Sequence, residues 1–345
     1  MSRQAIYAVC MAAVLVLSSC EHKDLCYNHP EHALRSQTRI EAAYNRMWEV
    51  GEDGEPAWMR RWPDNFGFGY ESLVPAMPGG LCVNAYSADG SQSVSHIAAT
   101  GGIVSMKAGD NSLLMYNDDT EFIIFDRLNA SVSAKATTRS RSRSSYSGNP
   151  FYAPGSEGSE RTVTPPDPLF GHYIEHYEQP RLQQPPSLAV TLQPLVFTYV
   201  IRYEFEQGIE YVGIARGALA GMAESVFLYD GHTGPERATI LYDCTVEPWG
   251  VQAVVNSFGV PDYPSPVYPR AEPGSYALNL EVRLRNGKTF SFDYDITGQM
   301  AAQPHGGVIV VDGIKISDED GDAGGSGFDV TIDGWGEFND IIINL

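Results

Sequence analysis

Hydrophobic and polar residues alternate with a period of two along much of the chain, a pattern typical of β-strands with one buried face. The alternation is clearest over residues 278–296. A two-residue loop within this stretch would set apolar residues opposite polar ones. A three-residue loop at 285–287 instead pairs Val282 with Phe290 and requires Gly287 in the left-handed region, as in a type I turn followed by a G1 bulge. The pattern therefore predicts a hairpin together with its register.

The same alternation recurs in short segments that are separated by clusters of Gly, Asn and Asp, and no long helical pattern stands out. Short strands at regular spacing favour β-sandwiches, and the length of the chain fits two domains of ordinary size. The sequence thus predicts an all-β protein with two tandem β-sandwich domains. The other predicted strands are 81–86, 103–106, 113–116, 122–125, 197–205, 328–332 and 341–345.

The strand pattern stops between residues 137 and 168. An Arg/Ser run at 139–145 opens this stretch, and three prolines close it at 165–168. Such composition predicts a linker that is flexible at first and extended at the prolines. The predicted organisation begins with a signal peptide at 1–19 and a lipid-anchored tether at 20–30. An N-terminal sandwich at 31–137, a linker at 138–168 and a C-terminal sandwich at 169–345 follow.

The N-terminus has the features of a bacterial lipoprotein signal. Arg3 precedes an uncharged apolar run at 5–17, which is too short to cross a bilayer, since crossing takes about 20 residues. Residues 17–20, Leu-Ser-Ser-Cys, resemble a lipobox, so Cys20 is the predicted site of a diacylglycerol. Two acyl chains give stable anchoring. Glu21, where inner-membrane lipoproteins commonly carry aspartate, favours the outer membrane. Residues 21–24, Glu-His-Lys-Asp, are weakly similar to the acidic signals that send some lipoproteins to the cell surface.

Charge and cysteine content exclude several classes of protein. The formal net charge is −20, and an acidic surface repels nucleic acid. Besides Cys10 in the signal and Cys20, the chain has Cys26, Cys82 and Cys244 without close spacing. This spacing predicts neither a disulfide framework nor a zinc site. Cys82 and Cys244 lie in apolar strand patterns, which is typical of buried free thiols.

Residues 172–176 match the H-x-x-E-H motif, in which His172 and His176 on one helical face bind zinc and Glu175 acts as the base. Prolines on both sides leave room for little more than two helical turns. An edge strand or connection is therefore the favoured interpretation, and a zinc hydrolase is a remote alternative.

Asp318, Asp320 and Asp322 occupy positions one, three and five of a calcium-type loop, with Asp329 at position twelve. Ala323 stands where the sharp turn needs glycine. The segment is predicted to be a solvated hairpin loop, and calcium binding by its carboxylates is left open.

A segment at 51–80 is crowded with aromatic side chains among Gly, Pro and charged residues. Exposed aromatic rings stack on sugars or bind partner proteins, whereas packed ones form a satellite core. Local packing over the first sandwich is the favoured interpretation. The candidate recognition residues are Trp58, Trp62, Phe66 and Tyr70. The sequence predicts no catalytic residue, no cofactor and no metal ligand.

Four stretches are similar to fimbrillin-like lipoproteins of the Bacteroidales, and more narrowly to an uncharacterised family of that group. The resemblance covers nearly the whole mature chain and departs from the pattern at 51–80 and in the Arg/Ser run. The stretches are SCEHKDLCY at 19–27, LLMYNDDTE at 113–121, ARGALAGMA at 215–223 and FDVTIDGW at 328–335.

The resemblance implies two tandem transthyretin-like or Ig-like sandwich domains after a lipoprotein signal peptide. It implies a non-enzymatic accessory, anchor or tip subunit of surface fimbriae, or a related adhesin. Polymerising members exchange strands with other subunits after proteolysis, and Arg35 or Arg39 is the candidate site for such a cut. The expected partners are the membrane, other fimbrial subunits and a host or glycan ligand. A glycan-binding surface lipoprotein is the alternative function.

Overall fold

The computed structural model describes residues 35–51, 54–141, 160–182, 184–264, 275–322 and 340–341. Within these ranges the chain is almost entirely β-structure, which confirms the all-β prediction. The strands are β1 (Arg35–Tyr44), β2 (Gly80–Ser87), β3 (Gln92–Ala98), β4 (Gly101–Lys107), β5 (Gly109–Tyr116), β6 (Ile123–Asp126), β7 (Lys135–Thr138), β8 (Ser140–Arg141), β9 (Arg161–Val163), β10 (Phe170–Gln179), β11 (Ser187–Pro194), β12 (Phe197–Gln207), β13 (Val212–Ala223), β14 (Ser225–Phe227), β15 (Arg237–Glu247), β16 (Gly250–Ser257), β17 (Ala277–Leu284), β18 (Thr289–Asp295), β19 (Gly307–Lys315) and β20 (Asp340–Ile341).

Helices are short in the described part of the chain. Two α-helices of five residues each, α1 (Thr297–Ala301) and α2 (Asp318–Asp322), lie near the C-terminus. Single 3₁₀ turns lie at Asp64–Phe66, Tyr70–Leu73, Ser131–Ser133 and Ile209–Tyr211. None of the helices in these ranges is long and apolar enough to cross a membrane.

The first module is a closed barrel with the strand order β1-β11-β10-β5-β2-β3-β4. It closes because β1 pairs with β4 on one side and with β11 on the other. Alternation along β2 directs Leu81, Val83 and Ala85 into the barrel core, where they contact Leu113 and Met115 of β5. The first domain is thus a barrel without free edges in place of an open sandwich.

Two of the barrel strands come from the part of the chain that the sequence assigned to the second domain. β10 pairs with β5, and β11 pairs with β1 and β10. The predicted boundary at residue 169 is therefore wrong, since residues 170–194 complete the first barrel. The predicted linker is also too long, because β8 and β9 are paired strands within it.

The second module is a sandwich whose strands follow the order β18-β17-β13-β15-β16-β12-β19. β15 belongs to both layers, because it pairs with β13 along most of its length and with β16 at its end. Side chains from β12, such as Tyr199 and Ile201, pack in one core with Leu280 and Val282 of β17. This module confirms the second predicted all-β domain.

The β17–β18 hairpin has the predicted register. Val282 lies opposite Phe290, and Leu280 lies opposite Phe292. Gly287 has a φ of 88°, and its N–H donates to the carbonyl of Leu284 at 2.9 Å. The turn with its left-handed glycine therefore sets the register that places the apolar residues of the two strands opposite one another.

A third, small sheet with the order β14-β7-β6 lies at the junction of the modules. β14 follows directly on β13 of the second module, whereas β6 and β7 follow the first five barrel strands. The core at this junction combines Leu114 of the barrel with Val226, Leu228 and Phe258 from the second half of the chain. The two modules therefore share buried apolar surface.

Candidate functional site

The aromatic residues of the 51–80 insertion pack around Trp62. The Trp62 ring centroid lies 4.9 Å from that of Phe66, 5.6 Å from that of Tyr70 and 5.7 Å from that of Trp48, each in an edge-to-face arrangement. Its indole N–H donates to the carbonyl of Phe68 at 2.9 Å. Edge-to-face contacts of this kind add to the stability gained by burial. Trp62, Phe66 and Tyr70 thus form an internal cluster.

This aromatic cluster covers the outer face of the second module. Phe66 is 7% exposed and packs on Val200 of β12 and Val308 of β19. The guanidinium of Arg202 lies between two rings, 4.4 Å from the centroid of Phe66 and 3.6 Å from that of Trp249. The insertion therefore packs locally, but the expected position over the first sandwich is wrong.

A buried carboxylate holds the start of the insertion. Glu49 is 1% exposed, and its Oε1 accepts hydrogen bonds from the backbone N–H of Trp58 at 2.5 Å and from the hydroxyl of Tyr70 at 3.2 Å. Burial raises the pKa of Glu49, and these hydrogen bonds partly offset the effect. Glu49 therefore ties both ends of the aromatic segment to the chain that leaves β1.

Trp58, another candidate recognition residue, is half-buried. Its indole N–H donates to Oε1 of Gln303 at 2.7 Å, and the Arg61 guanidinium lies 4.1 Å over its ring. A sugar platform needs a bare ring face, and the guanidinium covers one of the two faces of Trp58. A cavity of about 590 Å³ lies beside it and is lined by Gly51, Glu55, Pro56, Ala57, Met59, Arg60 and Ala302.

The H-x-x-E-H motif lies on β10, where successive side chains point to opposite faces. His172 is half-buried, while Glu175 and His176 are exposed. Nδ1 of His176 lies 3.2 Å from a carboxylate oxygen of Asp110 on β5. A strand cannot bring the two histidines together as a helix would, so the zinc hydrolase alternative is wrong.

The acidic segment at 318–322 is the short helix α2, so the predicted hairpin loop is wrong there. Asp318 accepts hydrogen bonds from the hydroxyl of Tyr211 and the amide of Gln207, at 3.2 and 3.3 Å. Asp320 accepts one from the Ser317 hydroxyl at 2.8 Å. Among the described residues, these aspartates do not form a group of three with metal-ligand spacing.

Sequence reasoning missed one constellation on the outer surface of the first barrel. Cys82 of β2, His96 of β3 and Asp118 after β5 place their ligand atoms within 4.8 Å of one another. The imidazole of His96 contacts the carboxylate of Asp118 directly through Nδ1. Spacings of 14 and 22 residues match no metal motif. Strand pairing, which sets Cys82 opposite His96, is the signal that identifies the group.

Cys82 and Cys244 are free thiols, as predicted. Burial raises the pKa of both. Arg35 and Arg39, the candidate cleavage residues, lie in β1, and Arg39 has paired strands on both sides, opposite Ser187 and Ile103.

Several predictions fall outside the described residues. They concern the signal peptide, the predicted strand at 328–332, and Cys20, Cys26 and Asp329.

The model of a family described as a domain of unknown function, DUF5119, matches residues 68–243. Comparison with curated proteins finds no match. Among solved structures, a putative adhesin from Bacteroides ovatus has a TM-score of 0.56 at 18% identity, covering 83% of this chain and 95% of that one. The fimbrial anchor protein Mfa2 from Porphyromonas gingivalis has a TM-score of 0.41 at 11% identity, covering 80% and 91%. The similarity to the putative adhesin from Bacteroides ovatus shows that the two chains share a fold.

Proposed function

We propose that this chain, which belongs to the DUF5119 family, described as a domain of unknown function, is a non-enzymatic structural or adhesive protein of the bacterial cell surface. The fold shared with the Bacteroides ovatus adhesin supports this class of function. The finer proposal is a lipid-anchored accessory or anchor subunit of surface fimbriae.

The continuous β-framework across the two modules is the observation that carries this proposal. β7 pairs with β6 from the first half of the chain and with β14 from the second. Leu195 and Val196, which connect the barrel to β12, are 5% and 4% exposed in the junction core. A buried connection and shared strands hold the modules at a fixed separation, which suits a protein that projects a binding surface or transmits tension.

Lipid attachment at Cys20 is the proposed means of anchoring. The lipobox-like residues 17–20 and the apolar run before them support it. A diacylated cysteine supplies the two chains that stable anchoring requires. The proposed location is the outer membrane, with the modules facing the exterior.

Strand addition is the proposed means of contact with other fimbrial subunits. β18 is an edge strand that pairs with β17 alone among the described strands. An edge strand presents unpaired N–H and C=O groups, to which an extended segment of another chain can add. The exposed carboxylates of Asp293 and Asp295 make this edge selective, because they repel an incoming strand that carries negative charge.

The anchor is tested with two cysteine variants in the native bacterium. Cells are labelled with a fatty-acid probe and fractionated, and intact cells are treated with protease. We expect the wild type and Cys26→Ala to be labelled, to fractionate with the outer membrane and to be cleaved on intact cells. Cys20→Ala should lose the label and leave the membrane. A wild type without label, or a labelled Cys20→Ala variant, would contradict the anchor.

The fimbrial role is tested by deleting the protein and restoring it. Electron microscopy should show fewer or detached fimbriae in the deletion strain, and adherence should fall. Restoring the wild-type chain should recover both. Unchanged fimbriae together with unchanged adherence would refute the structural or adhesive role, whatever the outcome of the lipid experiment.

A further inference from the structure

We propose that Cys82, His96 and Asp118 bind one divalent cation of the zinc class on the outer surface of the first barrel. The site would stand apart from the edge strand β18, which belongs to the second module.

Strand pairing places the three ligands. Cys82 lies opposite His96 of β3 and also opposite Tyr116 of β5, so it occupies the middle of three adjacent strands. Asp118 follows two residues after Tyr116, where β5 has ended. The three side chains therefore meet on the face of β2 opposite to that of Leu81 and Val83, outside the barrel core.

The distances fit a metal centre after a small adjustment. The sulfur, the ring nitrogen and the carboxylate oxygen lie within 4.8 Å of one another. Metal–ligand distances of about 2.0–2.3 Å place the ligand atoms of a tetrahedral zinc roughly 3.3–3.8 Å apart. The side chain of His96 is 68% exposed and can make this shift, whereas Cys82 is 2% exposed and fixed. Three protein ligands leave one coordination position for water.

Burial raises the pKa of the Cys82 thiol, and polar groups behind the sulfur partly offset this effect. The Asn84 amide nitrogen lies 3.5 Å from the Cys82 sulfur and 3.3 Å from the Tyr116 hydroxyl. Oδ1 of Asn84 accepts a hydrogen bond from Gln92 at 3.0 Å, which turns the Asn84 N–H groups toward the sulfur. The Tyr116 hydroxyl also hydrogen-bonds to Cys82. Outer partners of this kind orient metal ligands and tune their charge.

The backbone that carries Asp118 is held on both sides. The Asn117 amide donates to Asp119 and to the carbonyl of Pro168, both at 3.1 Å, and its oxygen accepts from the N–H of Phe170 at 2.7 Å. Gly80 leaves room for the carboxylate, since a Cβ there would lie 3.1 Å from Oδ1 of Asp118. The carboxylate therefore stays beside β2 without a metal.

The donor set points to the class of cation. A thiolate and a carboxylate carry two negative charges, which one divalent cation neutralises when imidazole is the third ligand. Binding releases the thiol proton to solvent. The cation takes the place of the hydrogen between Nδ1 of His96 and Asp118, and the neutral imidazole then carries its proton on the exposed Nε2. Sulfur with imidazole selects zinc and similar borderline metals over calcium and magnesium, which prefer oxygen ligands.

The test uses the full chain, stripped of metal, with zinc and with cobalt as a spectroscopic substitute. We expect one equivalent of zinc to bind and to raise the melting temperature, because a ligand that binds the folded state stabilises it. Cobalt should give a thiolate-to-metal charge-transfer band. Cys82→Ser should abolish that band, and Cys82→Ser and Asp118→Asn should each weaken zinc binding more than about 100-fold, beyond the usual effect of an outer partner.

His176→Gln is the matched control. His176 and Asp110 form an exposed histidine–carboxylate pair on the same barrel, but without a thiol. This variant should bind zinc as the wild type does. Circular dichroism on each variant confirms that its fold is retained, and Asp118→Asn provides the decisive test if Cys82→Ser does not fold.

Three results would overturn the proposal. The first is an absence of stoichiometric zinc binding to the wild-type chain. The second is a charge-transfer band that persists in Cys82→Ser, which would assign the metal to another cysteine. The third is a loss of affinity in His176→Gln equal to that in Asp118→Asn.

Discussion

At the scale of single residues, His305 occupies a site that suits only its neutral ring. It stacks on Phe197 with ring centroids 4.1 Å apart, and the ring centroid of Tyr263 lies 4.9 Å away in an edge-to-face arrangement. Its Nε2 atom is buried and has no hydrogen-bond partner among the described residues. Burial lowers the pKa of His305 to about 4, from an ordinary value of 6.5. Protonation would place a charge in this aromatic environment.

This site predicts a loss of stability in acid. Between pH 6.5 and pH 4 the unfolded chain takes up a proton at His305 that the folded chain does not, so the free energy of unfolding falls as the pH is lowered. The shift corresponds to about 3 kcal/mol across this window. Urea unfolding at pH 7, 5.5 and 4 measures the effect. His305→Phe keeps the ring stack and should flatten the dependence by that amount, whereas parallel curves for the two proteins would disprove it.

At the scale of elements, the aromatic insertion completes the second module. Along β12, odd-numbered residues such as Tyr199 and Ile201 face the sandwich core, and even-numbered Val200 and Arg202 face the insertion. Without the insertion, the outer face of β12 would expose apolar surface. A cationic side chain between two rings adds a directional contact to this burial.

Phe66→Ala is therefore expected to lower the free energy of unfolding by about 3–5 kcal/mol, the usual cost of deleting a buried aromatic ring. Met59→Ala is the control within the same insertion, because Met59 is 51% exposed. A substitution at such a surface position should change stability by about 0.5 kcal/mol or less. Chemical denaturation of both variants makes the comparison, and equal effects would show that the insertion is not part of the folded core.

At the scale of the whole molecule, the two modules are joined by three structures. These are the small sheet, the junction core and the contact of Trp48 with β12, in which the N–H of Thr198 donates to the Trp48 carbonyl at 2.8 Å. The chain also crosses between the modules repeatedly, since β10 and β11 return to the barrel after β9 has paired with β15. Neither module can unfold without exposing surface that the other buries.

A single unfolding transition is the expected result of calorimetry. Leu113→Ala, which opens a cavity in the barrel core alone, should lower the midpoint of that one transition, because such a cavity costs about 2–5 kcal/mol. Leu182→Ala, at a position 59% exposed, should leave it unchanged. Two separate transitions, with only one of them shifted by Leu113→Ala, would mean that the modules fold independently.

The sequence by itself determined the β-class of the chain and the details of its local hairpin. The register of Val282 against Phe290 and the left-handed Gly287 followed from residues less than ten positions apart. Side-chain parity and loop length are local properties, so they can be read along the chain. The free thiols of Cys82 and Cys244 followed from the same alternation.

Only the tertiary structure decided which strands are neighbours. The sequence predicts only an edge strand or connection at 172–176, and nothing along the chain says that residues 170–194 close the first barrel. The sequence likewise does not show that the cluster of Trp62 covers the second module. Nor does it show that Cys82 and His96 lie opposite each other on the paired strands β2 and β3. Contacts between distant residues depend on how whole strands pair and pack. A period of two along one segment does not show which other strand that segment pairs with.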